Sequence, residues 1–369
     1  MSSFKKIKDR PMKRILVLCP HPNDGTSWWR GIGPLSALDR ELSQYGIEMH
    51  STTQSISWSD LAYFDVAFFQ RPADTGCVRL MALCKEMGLK TWVDYDDNLI
   101  EVPYANPAFK VYDAPQMKHE VSKLIAAADV ITVTTRELKR RFSAINSNIY
   151  VVPNAMDDRV LQKPKQGKNM DSRLIMWRGS RTHDEDLMEY VDVMAEVAEK
   201  HVAWRWCFVG EPYFEVRSRM PTNRSIYMEA IHLPKFYHFL NEMNAEIGIV
   251  PLKNNAFNKS KSNIGWQEFT YMGGATLGPD FEEWKVPGCI NYQNPEEFKN
   301  QLNRLIEDKE LRRSSNATSL KYLQENLLLS QVNQTRLEIA LQLCLGENKV
   351  ELTGEHLTYD SDSTQRQGT

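Results

Sequence analysis

Lys261 and Glu268 stand seven residues apart late in the chain, in Lys261-Ser262-Asn263-Ile264-Gly265-Trp266-Gln267-Glu268. Seven residues are about two turns of helix, so the two side chains can share one face. A lysine binds phosphate as a mobile point charge, and a carboxylate accepts two hydrogen bonds from a ribose diol. A cation near a helix start and a carboxylate near its end therefore suit the two ends of a phosphate–ribose ligand. Ser262 lies beside the lysine, and Gly273 and Gly274 end the helix.

A second cluster precedes it. In Trp177-Arg178-Gly179-Ser180-Arg181-Thr182-His183-Asp184, Gly179 and Ser180 permit close approach of a phosphate, while Arg178, Arg181 and His183 offer charge or hydrogen bonds. Thr182 or His183 opens a helix with acidic residues in its first turn, so an arginine is needed to offset them for an anion. Near the N-terminus, Arg30-Gly31-Ile32-Gly33 follows a short strand. The loop of Gly31 and Gly33 can present backbone N–H groups to an anion, with Arg30 as a cation beside it.

Asp94-Tyr95-Asp96-Asp97 places three carboxylates in four residues. They suit three roles: pairing with Arg30 and Arg71, contact with an acceptor hydroxyl or service as its base, or metal ligation. Arg71 sits at a strand end held by Pro72, and His119 falls on a predicted helix from which it either contacts a sugar or faces solvent.

These residues fall where alternating elements place them. Short apolar runs at 14–19, 65–70, 90–94, 130–134 and 149–152 alternate with helical periodicity at 35–42, 78–87, 117–128 and 136–142. The rhythm restarts with strands at 174–178, 204–209, 227–230, 247–250, 275–277 and 289–292, with helices at 184–200, 236–243, 295–306, 310–326 and 329–345. Buried runs separated by helices mean βα units and a parallel sheet. The predicted fold class is α/β, with two Rossmann-like parallel-sheet domains facing a central cleft. The expected division is a basic extension at 1–12, a first domain at 13–158, a linker at 159–172 and a second domain at 173–325. A helix at 326–345 packs back on the first domain, and a disordered polar tail spans 346–369. Ligands of such sheets bind outside the C-terminal strand ends, where the charged residues stand.

A net charge of −3 gives no global nucleic-acid signal. The six cysteines are scattered without a CxxC pair, which suits small core residues in a reducing compartment. No apolar run is long enough to span a membrane. The expected location is cytoplasmic, with peripheral membrane contact open to the basic start.

Arg71, Asp94-Tyr95-Asp96-Asp97-Asn98-Leu99-Ile100, Val152-Pro153-Asn154-Ala155 and Pro251-Leu252…Phe257-Asn258…Lys261-Ser262…Glu268-Phe269…Gly273 together resemble glycosyltransferases of the two-Rossmann-domain GT-B type, close to the retaining family 4 group. The resemblance runs from Lys13 to about Leu345. It implies transfer of a sugar from a nucleotide diphosphate sugar to an acceptor hydroxyl, with no obligatory metal or other cofactor. Glu268 matches the family's ribose-binding glutamate, and Arg178 or Arg181 with Lys261 match its diphosphate ligands. The family's two-glutamate pattern is shortened, since its first glutamate falls at Ser260. Glycan, lipid-linked sugar, small molecule and modified nucleic acid all stand as acceptors. A nucleotide-sugar epimerase or isomerase and a catalytically degenerate binding module are the alternatives.

Overall fold

The computed structural model describes residues 12–19, 25–52, 56–104, 106, 107, 109, 114–161, 171–210, 214–232 and 235–346. The basic start before Met12, residues 20–24 of the first loop, residues 162–170 of the expected linker and the tail after Gly346 lie outside them.

Two six-stranded parallel sheets organise the chain. The first contains β1 (Lys13–Leu18), β2 (Ile47–Thr52), β3 (Val66–Gln70), β4 (Lys90–Tyr95), β5 (Val130–Val133) and β6 (Ile149–Val151), in the order β2-β1-β3-β4-β5-β6. The second contains β7 (Leu174–Gly179), β8 (Arg205–Gly210), β9 (Ser225–Met228), β10 (Ile247–Ile249), β11 (Ala275–Pro279) and β12 (Ile290–Tyr292), in the order β12-β11-β10-β7-β8-β9. Strand order reverses between β1 and β3 in one sheet and between β7 and β10 in the other, and a crevice opens at each reversal.

The buried strands read as apolar runs because helices cover both faces. Alternate residues of β7 serve opposite cores: Leu174 and Met176 pack with Trp266 and Phe269, whereas Ile175 and Trp177 pack with Leu187 and Tyr190. Strand β2 is absent from the sequence reading. It is an edge strand in which only Ile47 is fully buried, so no apolar run marks it.

The last helix, Leu329–Leu345, returns to the first sheet. Ile339, Ala340 and Cys344 pack with Ile15, Val17, Phe68 and Trp92, and Asn333 Nδ2 donates to the Pro34 carbonyl at 2.6 Å.

Candidate functional site

The exit of β1 leads through a helical segment whose middle, Trp28–Ile32, has π geometry. This turns the Arg30 side chain inward, where it is fully buried. Its Nε and Nη2 donate to the two Asp94 oxygens at 2.9 and 2.7 Å, and Nη1 donates to the Val152 carbonyl at 2.8 Å and Asn154 Oδ1 at 3.2 Å. Thr132 Oγ1 adds a bond to Asp94 at 2.6 Å. Asp94 is thus consumed by a structural fork and does not line the cleft cavity. The three neighbouring carboxylates do not share one site: Asp96 and Asp97 lie beyond the end of β4 at Tyr95 and turn to Arg71 instead.

Gly31 and Gly33 form no anion loop. Both are buried in the helical segment, where a Cβ on Gly31 would lie 2.4 Å from Cys19 Sγ and one on Gly33 2.7 Å from the Trp28 carbonyl. Close packing, rather than phosphate approach, accounts for both. Gly25, Thr26, Trp29 and Arg30 line the cavity instead.

Arg71 holds a left-handed backbone with φ of 51°, fixed by its N–H donating to the Asp94 carbonyl at 2.8 Å. Such a conformation in a residue with a Cβ costs about 1–3 kcal/mol and is typical of sites where side-chain direction matters. It aims the guanidinium at Asp96, 3.7 Å away, and Asp97, 3.4 Å away. Burial pushes the Asp96 carboxyl up to about 6, with Arg71 opposing and the negative charges of Asp97 and Asp94 adding to the shift. Asp96 Oδ1 has no hydrogen-bond partner. Burial also works against Asp97, but Lys261 and Arg71 together hold its carboxyl below the usual range.

The second sheet supplies the opposite wall. Arg178 and Gly179 end β7, and Ser180 caps the next turn by accepting from the Thr182 N–H. Residues 256–271 form a short helix, Ala256–Lys259, capped by Asn255, then a loop and the helix Ile264–Tyr271. Lys261 lies in that loop, not on the helix with Glu268. The two nevertheless line one cavity. The Arg178 guanidinium pairs with Glu268, which is almost wholly buried. Burial pushes the Glu268 carboxyl up to about 7, and Arg178 opposes the shift.

The two walls meet directly. Lys261 Nζ is 3.4 Å from Asp97, Asn154 Nδ2 donates to Ser262 Oγ at 2.8 Å, and Gln267 Nε2 donates to the Asn154 carbonyl at 2.8 Å. Ser260 is fully buried in this seam, its carbonyl accepting from Thr135 Oγ1 at 3.0 Å. At the far side, Trp28 Nε1 donates to Tyr237 Oη at 3.1 Å. Between the walls lies a cavity of about 510 Å³ at the C-terminal strand ends of both sheets.

Of the residues singled out in the sequence, Arg30, Arg71, Asp96, Asp97, Arg178, Gly179, Ser180, Thr182, His183, Lys261, Ser262 and Glu268 line this cavity. Arg181 does not; it is exposed and pairs with Asp184 at 3.7 Å. His119 is exposed on the helix Ala114–Ala127, which contributes no described lining residue. It falls on the turn opposite Met117, Val121 and Leu124, which pack into the core. Sequence reasoning missed Trp29 and Phe236, which line the cavity from opposite domains. No local pattern joins residues so far apart in the chain.

Among the described residues, no group of three or more His, Cys, Asp or Glu side chains is placed to hold a metal ion. No described helix is long and apolar enough to cross a membrane.

No protein-family model matches the chain, and no curated protein matches it by sequence. Solved structures do match by fold. Sucrose-phosphate synthase from Thermosynechococcus elongatus superposes with a TM-score of 0.67 at 10% identity, covering 91% of this chain and 100% of that one. The Anabaena protein HepE, in complex with UDP and glucose, gives 0.62 at 11% identity, covering 89% and 99%. A candidate UDP-N-acetylglucosamine 2-epimerase from Listeria monocytogenes gives 0.58 at 12% identity, covering 91% and 98%. With its two parallel-sheet domains and the cavity between their strand ends, the chain has a GT-B-like fold.

Proposed function

We propose that this protein transfers a glycosyl group from a nucleotide diphosphate sugar to an acceptor hydroxyl. The observation that carries this reading is the convergence of Arg178, Lys261 and Glu268 on one wall of an interdomain cavity, facing Arg71, Asp96 and Asp97 on the other. Arg178 and Lys261 supply positive charge for a diphosphate, Ser180 and Ser262 supply hydroxyls, and Glu268 accepts from a ribose diol. The second domain takes the donor and the first takes the acceptor. HepE, of similar fold, holds UDP and glucose.

As the anomeric C–O bond breaks, negative charge builds on the departing diphosphate. Fixed cations are worth most in a site of low dielectric, where they meet that charge without reorganising. Retention at the anomeric carbon follows from the resemblance to the retaining group, with the leaving phosphate taking the acceptor proton. A second outcome has its own support: Asp96, with its carboxyl pushed up to about 6 and Oδ1 ion-paired to Arg71 but without a hydrogen bond, fits the base of an inverting transfer. The anomeric configuration of the product, read by proton NMR, separates the two.

The donor site is tested by titrating UDP, ADP and GDP into wild type and into Lys261→Ala and Glu268→Ala. Each substitution is expected to weaken the preferred nucleotide at least ~10-fold, about the loss of one charge-assisted hydrogen bond. Unchanged affinity in both variants removes the assigned site. A chain incubated with donor alone reports the epimerase alternative through isomerised nucleotide sugar.

A further inference from the structure

His183 has no part in the scheme so far, yet its ring lines the same cavity. It closes the short turn Arg181–His183 that follows β7, one residue before the helix Asp184–Lys200. Its Nδ1 lies 2.9 Å from Asp186 Oδ2. A carboxylate only accepts, so Nδ1 carries the proton in this bond. Asp186 is itself fixed: its other oxygen accepts from the Lys253 N–H at 3.0 Å and from Asn258 Nδ2 at 2.7 Å. The ring is therefore locked in one tautomer, with the Nε2 lone pair left for the cavity.

The charges around the ring come from four places. Arg178 stands at the end of β7, Lys261 on the loop before the helix Ile264–Tyr271, Asp97 at the exit of β4 and Asp186 on the ring's own helix. Nearby Asp184 and Glu185 are paired with Arg181 and Lys253. Burial holds the imidazole below its usual range; Asp186 opposes this, and Lys261 and Arg178 reinforce it. Burial and the two cations thus leave the ring neutral near pH 7.

We infer that His183 is a proton-coupled ligand of the donor diphosphate: binding draws one proton from solvent onto Nε2, and the imidazolium then donates to a phosphate oxygen. The negative charges of the diphosphate reverse the balance around the ring, since they cancel the cations that disfavour its protonation. No covalent bond to the ligand forms. The inference rests on the donor-site reading above.

The test uses UDP-glucose, with ADP-glucose and GDP-glucose in parallel, because a diphosphate esterified at both ends keeps a fixed charge near neutral pH. Calorimetric titration in buffers of different ionisation enthalpy counts the protons taken up. Asp96 and Glu268 also titrate near neutrality, so the readout is the difference between wild type and His183→Gln. Wild type is expected to take up more protons near pH 7, and its affinity to fall about tenfold more than the variant's between about pH 6 and about pH 8. His183→Lys, which carries its charge across this range, is expected to show the shallower pH slope of His183→Gln. Equal proton uptake and equal pH slopes in wild type and a folded His183→Gln overturn the inference and leave the donor site standing. Failure of wild type to bind any of the three overturns both.

Discussion

Each charged side chain in the cleft is defined by its partner. Arg30 and Asp94 form a two-pronged pair with no exposure to solvent, and Arg30 reaches on to the exit of β6. Replacing only one member leaves a buried charge uncompensated, at a cost of about 3–5 kcal/mol. Arg30→Met is therefore expected to lower the melting temperature sharply, and Arg30→Met with Asp94→Leu to recover part of the loss. Asp96 carries a different cost. Its carboxyl is raised in the folded state, so its contribution to stability is full below the unfolded value and is lost as pH rises through about 6. Asp96→Asn should gain on the order of 1–2 kcal/mol above that range and nothing at acid pH, while turnover falls. Melting curves across pH, set beside an activity assay, check both halves. Equal gains at acid and alkaline pH would remove burial of the charge as the cause.

Elements deliver these side chains by close contact. The helix Ile264–Tyr271 is buried from Gly265 onward, which a polar residue such as Glu268 tolerates only with a partner like Arg178. It sits directly on β10, where a Cβ on Gly248 would lie 2.0 Å from the Phe269 ring. Gly248→Ala should push the helix off the sheet, cost about 1–3 kcal/mol and weaken nucleotide binding through the displaced Glu268. A binding titration beside a melting curve decides it; unchanged affinity would show that the helix tolerates the shift. The strands were legible in sequence where both faces are buried, as in Val66–Gln70, and one edge strand, Ile47–Thr52, with a single fully buried residue, was not. The placement of Lys261 on one helix with Glu268 failed for a local reason. Residues between the helices Ala256–Lys259 and Ile264–Tyr271 leave helical geometry, and the loop brings the lysine to the cavity by another route.

At the scale of the molecule, the cleft is a seam between two sheets, tied by Lys261 to Asp97 and by Trp28 to Tyr237. The final helix spans the same division, running from the second domain to cover the β1, β3 and β4 core of the first. Truncation after Leu328 uncovers Ile15, Val17 and Phe68, so the shortened chain is expected to melt earlier and to be cleaved faster by protease than the full chain. Equal protease resistance would mean that the helix contributes little to the first domain. The parallel α/β class, the two rounds of βα units and the two charged motifs at strand ends could all be read from the residues alone. These depend on periodicity and on residues close in the chain. Which charge meets which came from the folding of the chain in space. Arg30 finds Asp94 across 64 residues and Lys261 finds Asp97 across 164, and electrostatic pairing depends on distance in space, to which separation along the chain gives no guide. The same reason moved Arg181 and His119 out of the cleft and kept His183, offered in the sequence beside Arg178, within it.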